Sequence, residues 1–183
     1  MAILHPQSHS LKLGDAVLIR SAAPSDAAAL LKYAHDVMSE PRVLFTEWDE
    51  IDQSEDAESK FIQHAIDAAG ELLLIAEVES QIVGALNFAT YAKRKRAHGG
   101  EFGMSVKRPW RDKGIGRLML TALLEWAREQ KTIEQIELSV FSRNGRAIHL
   151  YRALGFQEQG RLHKAIKFGD GSYDDLILMW RAV

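Results

Sequence analysis

The chain contains no cysteine. That absence removes a thiol nucleophile, a thiolate zinc site and any disulfide framework, and it favours a reducing compartment, so a cytoplasmic location is expected. Proline is scarce, at 4 of 183 residues, and 13 glycines are too few for a collagen-like or low-complexity chain. No apolar run approaches the roughly 20 residues that a membrane span needs, and residues 1–15 carry neither a basic leader nor a long apolar stretch. A large net charge is missing too: 23 basic and 25 acidic side chains leave a formal charge of −2. Such a balance sets up no global field to gather nucleic acid or an anionic bilayer, and neither is an expected partner.

With 46% hydrophobic and 26% charged residues, the chain can bury about 70% of its unfolded surface without staples. Residues 1–13 read as a flexible tail and 14–183 as one domain. Ala16–Arg20 is a short apolar strand, and Ser25 or Asp26 can cap a helix through Ala27, Leu30, Leu31 and Ala34. Residues 40–58 hold Glu47, Asp49, Glu50, Asp52, Glu55, Asp56 and Glu58 and read as an acidic loop, before Phe61, Ile62, Ala65 and Ile66 restore a helical stripe. Residues 71–78 and 81–91 form a hairpin pattern, although Glu79-Ser80 lacks the usual turn glycine. After the basic connector Lys93–Arg96 come a strand (101–106), a helix (114–130) and a strand (136–140), which predicts a parallel pair joined by a crossover. Asn144 caps a short helix, Gly155 suits its left-handed end, and two runs around Gly169-Asp170-Gly171-Ser172 close the chain as a hairpin. The expected fold is mixed α/β: a largely antiparallel sheet with a central parallel strand pair and flanking helices.

Residues 101–117, EFGMSVKRPWRDKGIGR, run from a strand through a basic, glycine-bearing turn directly into a helix. Helix starts expose unpaired N–H groups and partial positive charge, so the turn suits a phosphate or diphosphate, with Gly114 and Gly116 permitting close approach; two glycines there serve plain steric needs equally well. A Walker loop is excluded because Arg117-Leu118 follows Gly116, and a dinucleotide fingerprint because Met119 fills its last glycine position. Further on, Asn144 and Tyr151 lie two helical turns apart and share a face. Taken alone, the pair is better accounted for by a capping asparagine and a packing tyrosine than by a binding role.

Together the two segments resemble the GNAT superfamily of acetyl-CoA-dependent N-acetyltransferases. Its motif Gln/Arg-x-x-Gly-x-Gly/Ala is matched by Arg111–Gly116, and its motif Asn-x-x-Ala-x-x-Leu-Tyr-x-x-x-Gly-Phe by Asn144–Phe156. The resemblance implies that Arg111, Asp112, Lys113, Gly114, Ile115, Gly116 and Arg117 cradle the diphosphate of acetyl-CoA, the co-substrate. It implies further that Met104, Ser105 and Val106 lie along pantetheine, that Asn144 contacts the CoA arm and that Tyr151 faces the thioester sulfur. A phenol of pKa near ~10 can protonate a thiolate, which makes Tyr151 the candidate general acid. Glu101, where some relatives carry a catalytic glutamate, is the candidate base, with an ordered water chain or a strand-edge charge as the other readings.

The implied acceptor is a primary amine of a small molecule or amino acid. A protein N-terminus, as in ribosomal-protein acetyltransferases, is the alternative that the ending Gly171–Met179 suggests, and a non-catalytic CoA sensor is the alternative outside enzymes. The acidic loop would attract a cationic amine, a polyamine, an aminoglycoside or a protein N-terminus, or is simply solvated. Histidines 35, 64, 98, 149 and 163 show no metal-binding spacing, so no metal is expected. Relatives often dimerise, and the resemblance leaves room for a homodimer.

Overall fold

A computed structural model describes residues 3–11, 14–42 and 44–183. In chain order the elements are β1 (Gln7–Ser10), β2 (Ala16–Ser21), α1 (Ala27–Met38), α2 (Glu55–Asp67), β3 (Glu71–Val78), β4 (Gln81–Thr90), β5 (Gly99–Val106), α3 (Ile115–Glu129), β6 (Gln135–Phe141), α4 (Gly145–Ala153), β7 (Gln157–Lys167) and β8 (Tyr173–Ala182). Short 3-10 turns occupy Pro24–Asp26, Trp48–Glu50 and Arg108–Trp110. The chain divides into two compact units: residues 1–89 with 103–130, and residues 90–102 with 131–183.

In the first unit, β1 to β4 follow one another antiparallel, with Gln7 opposite Ile19, Ile19 opposite Ala76 and Leu74 opposite Leu86. Leu72 to Ala76 are buried in succession, as befits a strand covered on both faces. Leu73 and Ile75 join Leu30, Tyr33 and Val37 of α1 and Ile62 of α2 in one apolar cluster. α3 packs against β2 and β3, and a Cβ added at Gly84 of β4 would sit 3.0 Å from the Met119 sulfur. In the second unit, the start of β5 runs parallel to β6, Glu101 opposite Glu137; β6 pairs antiparallel with β8, and β8 with β7. The mixed strand pattern with one parallel pair and flanking helices is thus observed. Among the described residues no helix is long and apolar enough to cross a membrane.

Three local expectations are corrected. Gln7–Ser10, inside the segment read as a tail, is an edge strand; its polar residues have no apolar period to reveal it, because backbone pairing to β2 holds it. Met1, Ala2, Lys12 and Leu13 of that segment lie outside the described residues. The acidic loop is shorter than expected, since Ser54 caps α2 and Glu55, Asp56 and Glu58 fill its first turn, where carboxylates oppose the helix dipole's positive end. Neither Ser25 nor Asp26 caps α1 with its side chain. The Asp26 carboxylate instead takes the Ala23 amide and both terminal nitrogens of Arg20, which hold its pKa below the usual carboxylate range. The Glu79-Ser80 turn does form, with φ of 48° and 62°, the doubly left-handed geometry of a type I′ turn without its usual glycine.

Candidate active site

The expected site residues divide between the units: Met104–Val106 and Arg111–Arg117 belong to the first, Glu101, Asn144 and Tyr151 to the second.

In the first unit, the turn before α3 is shaped by backbone. Asp112 has φ of 64° and Gly114 φ of 97°, a value that glycine adopts without strain. Gly114 stands at the helix N-cap with no side chain to offer, its carbonyl receives the Leu118 N–H, and a Cβ placed on it would meet nothing within 4 Å. The amides of Ile115, Gly116 and Arg117, one turn short of any intrahelical acceptor, are left as donors, while the Ile115 side chain is buried in the core. Arg117 is exposed, and the Lys113 ammonium lies 4.1 Å over the Trp110 ring. Arg111 does something else. Its Nε donates to the Val106 carbonyl, its two terminal nitrogens grip the Glu40 carboxylate at 2.8 and 2.9 Å, and its amide donates to Arg108. Arg111 fastens the end of β5 and the turn to the residues after α1 through three of its five guanidinium N–H groups.

A cavity of about 610 Å³ opens in the same unit, lined by α1, α2, residues 44–52 and strand residues of β3, β4 and β5. Met104 and Ser105 form part of its wall. The Ser105 hydroxyl is 2.8 Å from the hydroxyl of Tyr33, whose pKa burial raises. Asn87 stands behind Gly103, where any Cβ would fall 2.9 Å from the amide oxygen.

In the second unit, Asn144 caps α4 by accepting the Ala147 N–H at 3.2 Å. The other end closes with Gly155 at φ of 86°: its amide donates to Arg152 and the Phe156 amide to Tyr151, the paired bonds of a Schellman motif. The hydrophobic contact usual in that motif is Phe156 against Tyr151, 6.0 Å between ring centroids, and Phe102 meets both rings edge-on. The Gly-Phe pair therefore ends the helix and braces the tyrosine. Burial pushes the Tyr151 phenol up to about 12, and its hydroxyl has no hydrogen-bond partner among the described residues yet is not sealed from solvent. Glu101 is exposed on β5 and accepts the Ser139 hydroxyl at 2.9 Å.

Comparison with known proteins decides the family. The description Acetyltransferase (GNAT) family matches residues 34–156. The chain belongs to the GNAT acetyltransferases. It is 29% identical over 115 residues to the L-amino acid N-acetyltransferase AaaT of Escherichia coli (strain K12), covering 63% of this chain and 70% of that protein. A GNAT-family acetyltransferase from Streptococcus pneumoniae has a TM-score of 0.87 at 26% identity, over 91% of this chain and 99% of its own. Ribosomal-protein-alanine N-acetyltransferase from Brucella melitensis has 0.78 at 28%, over 90% and 99%.

Reading the sequence as a GNAT enzyme left out Tyr33 and Asn87 and saw Glu40 and Glu58 only as parts of an acidic segment. Tyr33 sits in the apolar stripe of α1, where its ring explains its presence and nothing signals its hydroxyl. Glu40 is one acid among many until Arg111 is seen on it. Among the described residues no group of three or more His, Asp or Glu side chains is arranged to hold a metal ion.

Proposed function

We propose that this GNAT enzyme transfers the acetyl group of acetyl-CoA directly to a primary amine of a small molecule or amino acid. The observation that carries the reading is the cavity whose wall includes Met104 and Ser105, the strand residues expected beside pantetheine. The start of α3 fits a diphosphate: three unpaired amides, the positive end of a 15-residue helix, and open space where a side chain at Gly114 would stand. Gly114 to Arg117 would hold the phosphates, Met104 to Val106 the pantetheine and Asn144 the CoA arm. Acetyl-CoA supplies the acetyl group as a thioester. The acceptor must present a neutral nitrogen, lose one proton as the C–N bond forms, and leave a thiolate that gains one as the C–S bond breaks. Tyr151 serves as donor to that sulfur; its raised pKa keeps the proton in place in the resting enzyme. Glu101, oriented by Ser139, takes the acceptor's proton directly or through water. A cytoplasmic location is proposed with this reading.

The test is thiol release, with mass analysis of the product, over a panel of small amines, amino acids and peptides. Turnover of small acceptors above peptides is the expected result. A preference for peptide N-termini would move the assignment to the ribosomal-protein type, the reading that likeness to the Brucella enzyme supports. Saturable acetyl-CoA binding without turnover of any acceptor would reduce the protein to a sensor.

A further inference from the structure

The cavity wall is chemically lopsided. Leu30, Val37, Met38, Leu44, Ile51 and Leu73 make it apolar, and Phe45 and Phe61, 48% and 46% exposed, stand at the same wall. Among the described residues it contains two carboxylates, Asp52 and Glu58, and no lysine, arginine or histidine. Asp52 is exposed and already accepts the Ser54 amide at 2.9 Å. Glu58 is different: it is half-buried, and no side chain or amide among the described residues pairs with its carboxylate. Neighbouring acids are matched, Asp36 with Lys107, Glu40 with Arg111 and Asp56 with Lys60. Burial raises the Glu58 pKa, and beyond the partial charge at the start of α2 the described residues supply its carboxylate with no ionic partner.

Two consequences follow for an acceptor. An amino acid would bring its own carboxylate into a wall that offers no cation and already holds two negative groups, an arrangement that costs both desolvation and repulsion. The reacting nitrogen, for its part, must be neutral, whereas a carboxylate favours protonation of whichever nitrogen it meets. Glu58 therefore suits a second nitrogen that stays charged and does not react. Resting on the acetyltransferase reading above, we infer that the acceptor is a diamine with a hydrocarbon body and no carboxylate, its distal ammonium paired with Glu58 and its carbon chain laid on the apolar wall. This narrows the small-molecule assignment and sets free amino acids aside.

Three compounds of matched length isolate the distal group: 1,6-diaminohexane, 1-aminohexane and 6-aminohexanoic acid. Binding of each to the whole chain with CoA present is measured by calorimetry, and turnover by thiol release. The diamine is expected to bind best and the amino acid worst. Glu58→Gln, nearly isosteric, should weaken the diamine by roughly tenfold to a hundredfold and leave 1-aminohexane unchanged. Glu58→Lys should reverse the order in favour of 6-aminohexanoic acid. Equal losses for diamine and monoamine in Glu58→Gln, or tightest binding of the amino acid by the unaltered chain, would overturn the inference. Diamine binding that depends on Glu58 without any turnover would support the subsite and sink the catalytic reading, so the two fail separately.

Discussion

The turn at Arg111–Arg117 offers a ligand its backbone, whereas the segment Asn144–Phe156 is proposed to act through one side chain. In the first, the side chains are largely occupied elsewhere, Arg111 on Glu40 and Val106, Ile115 in the core, Lys113 over Trp110, and the free groups are amides. In the second, the backbone is closed at both ends, by the Asn144 cap and the Gly155–Phe156 clasp, and the free group is the Tyr151 hydroxyl. A site made of amides depends on φ and on empty space and is broken by adding atoms. A site made of a phenol depends on one oxygen and is broken by removing it.

Tyr151→Phe should therefore produce the largest effect. Removing a general acid lowers kcat by about a hundredfold or more, while acetyl-CoA affinity holds, because the ring keeps its contacts with Phe102 and Phe156. Pre-steady-state turnover and calorimetry read the two quantities, and unchanged kcat in a chemistry-limited regime would remove Tyr151 from the reaction. Gly114→Asp should come next, weakening acetyl-CoA by roughly tenfold or more, since it forces a side chain into a left-handed position and sets negative charge where the diphosphate belongs. Full retention of binding would mean that the amides of α3 are not the cradle.

Asn144→Ala tests the boundary between the two segments. Loss of the cap should cost about 1 kcal/mol of stability in denaturant unfolding, with Asn144→Ser close to the parent. Because Asn144 is also proposed to touch the CoA arm, acetyl-CoA affinity should fall by less than in Gly114→Asp; a loss as large would make the second segment an equal cofactor holder and the contrast would fail. The smallest expected change is in the pH profile. The donor must be protonated and the acceptor nitrogen neutral; with Tyr151 at about 12 and an alkyl amine near ~10.4, kcat/KM should climb from pH 7 toward 10 without turning over. A falling limb below pH 10 would belong to an acid other than Tyr151.

The same contrast explains what could be read from letters. Periodicity reveals α3, whose buried Met119, Leu120, Leu123 and Trp126 recur at helical spacing, and the Gly169–Ser172 turn announces the last hairpin. The two candidate segments are visible because a left-handed backbone favours glycine and the proposed proton donor needs a polar group. Pairings between distant residues carry no such mark. Arg111 with Glu40, Tyr33 with Ser105 and Asn87 behind Gly103 join residues far apart in the chain, and each residue type alone is commonplace. The cavity is invisible for the same reason, since its wall is assembled from two helices, an irregular stretch and three strands. β1 escapes because an edge strand of polar residues looks like any tail.

The glycine-free bend between β3 and β4 offers a handle for protein engineers. Glu79 and Ser80 both occupy a region that most L-residues avoid, and neither lines the cavity. Grafting Asn-Gly there would relax that conformational tension and toughen the enzyme against heat while leaving its catalytic parts alone, giving a sturdier parent for the demanding substitutions that mapping acceptor preference requires.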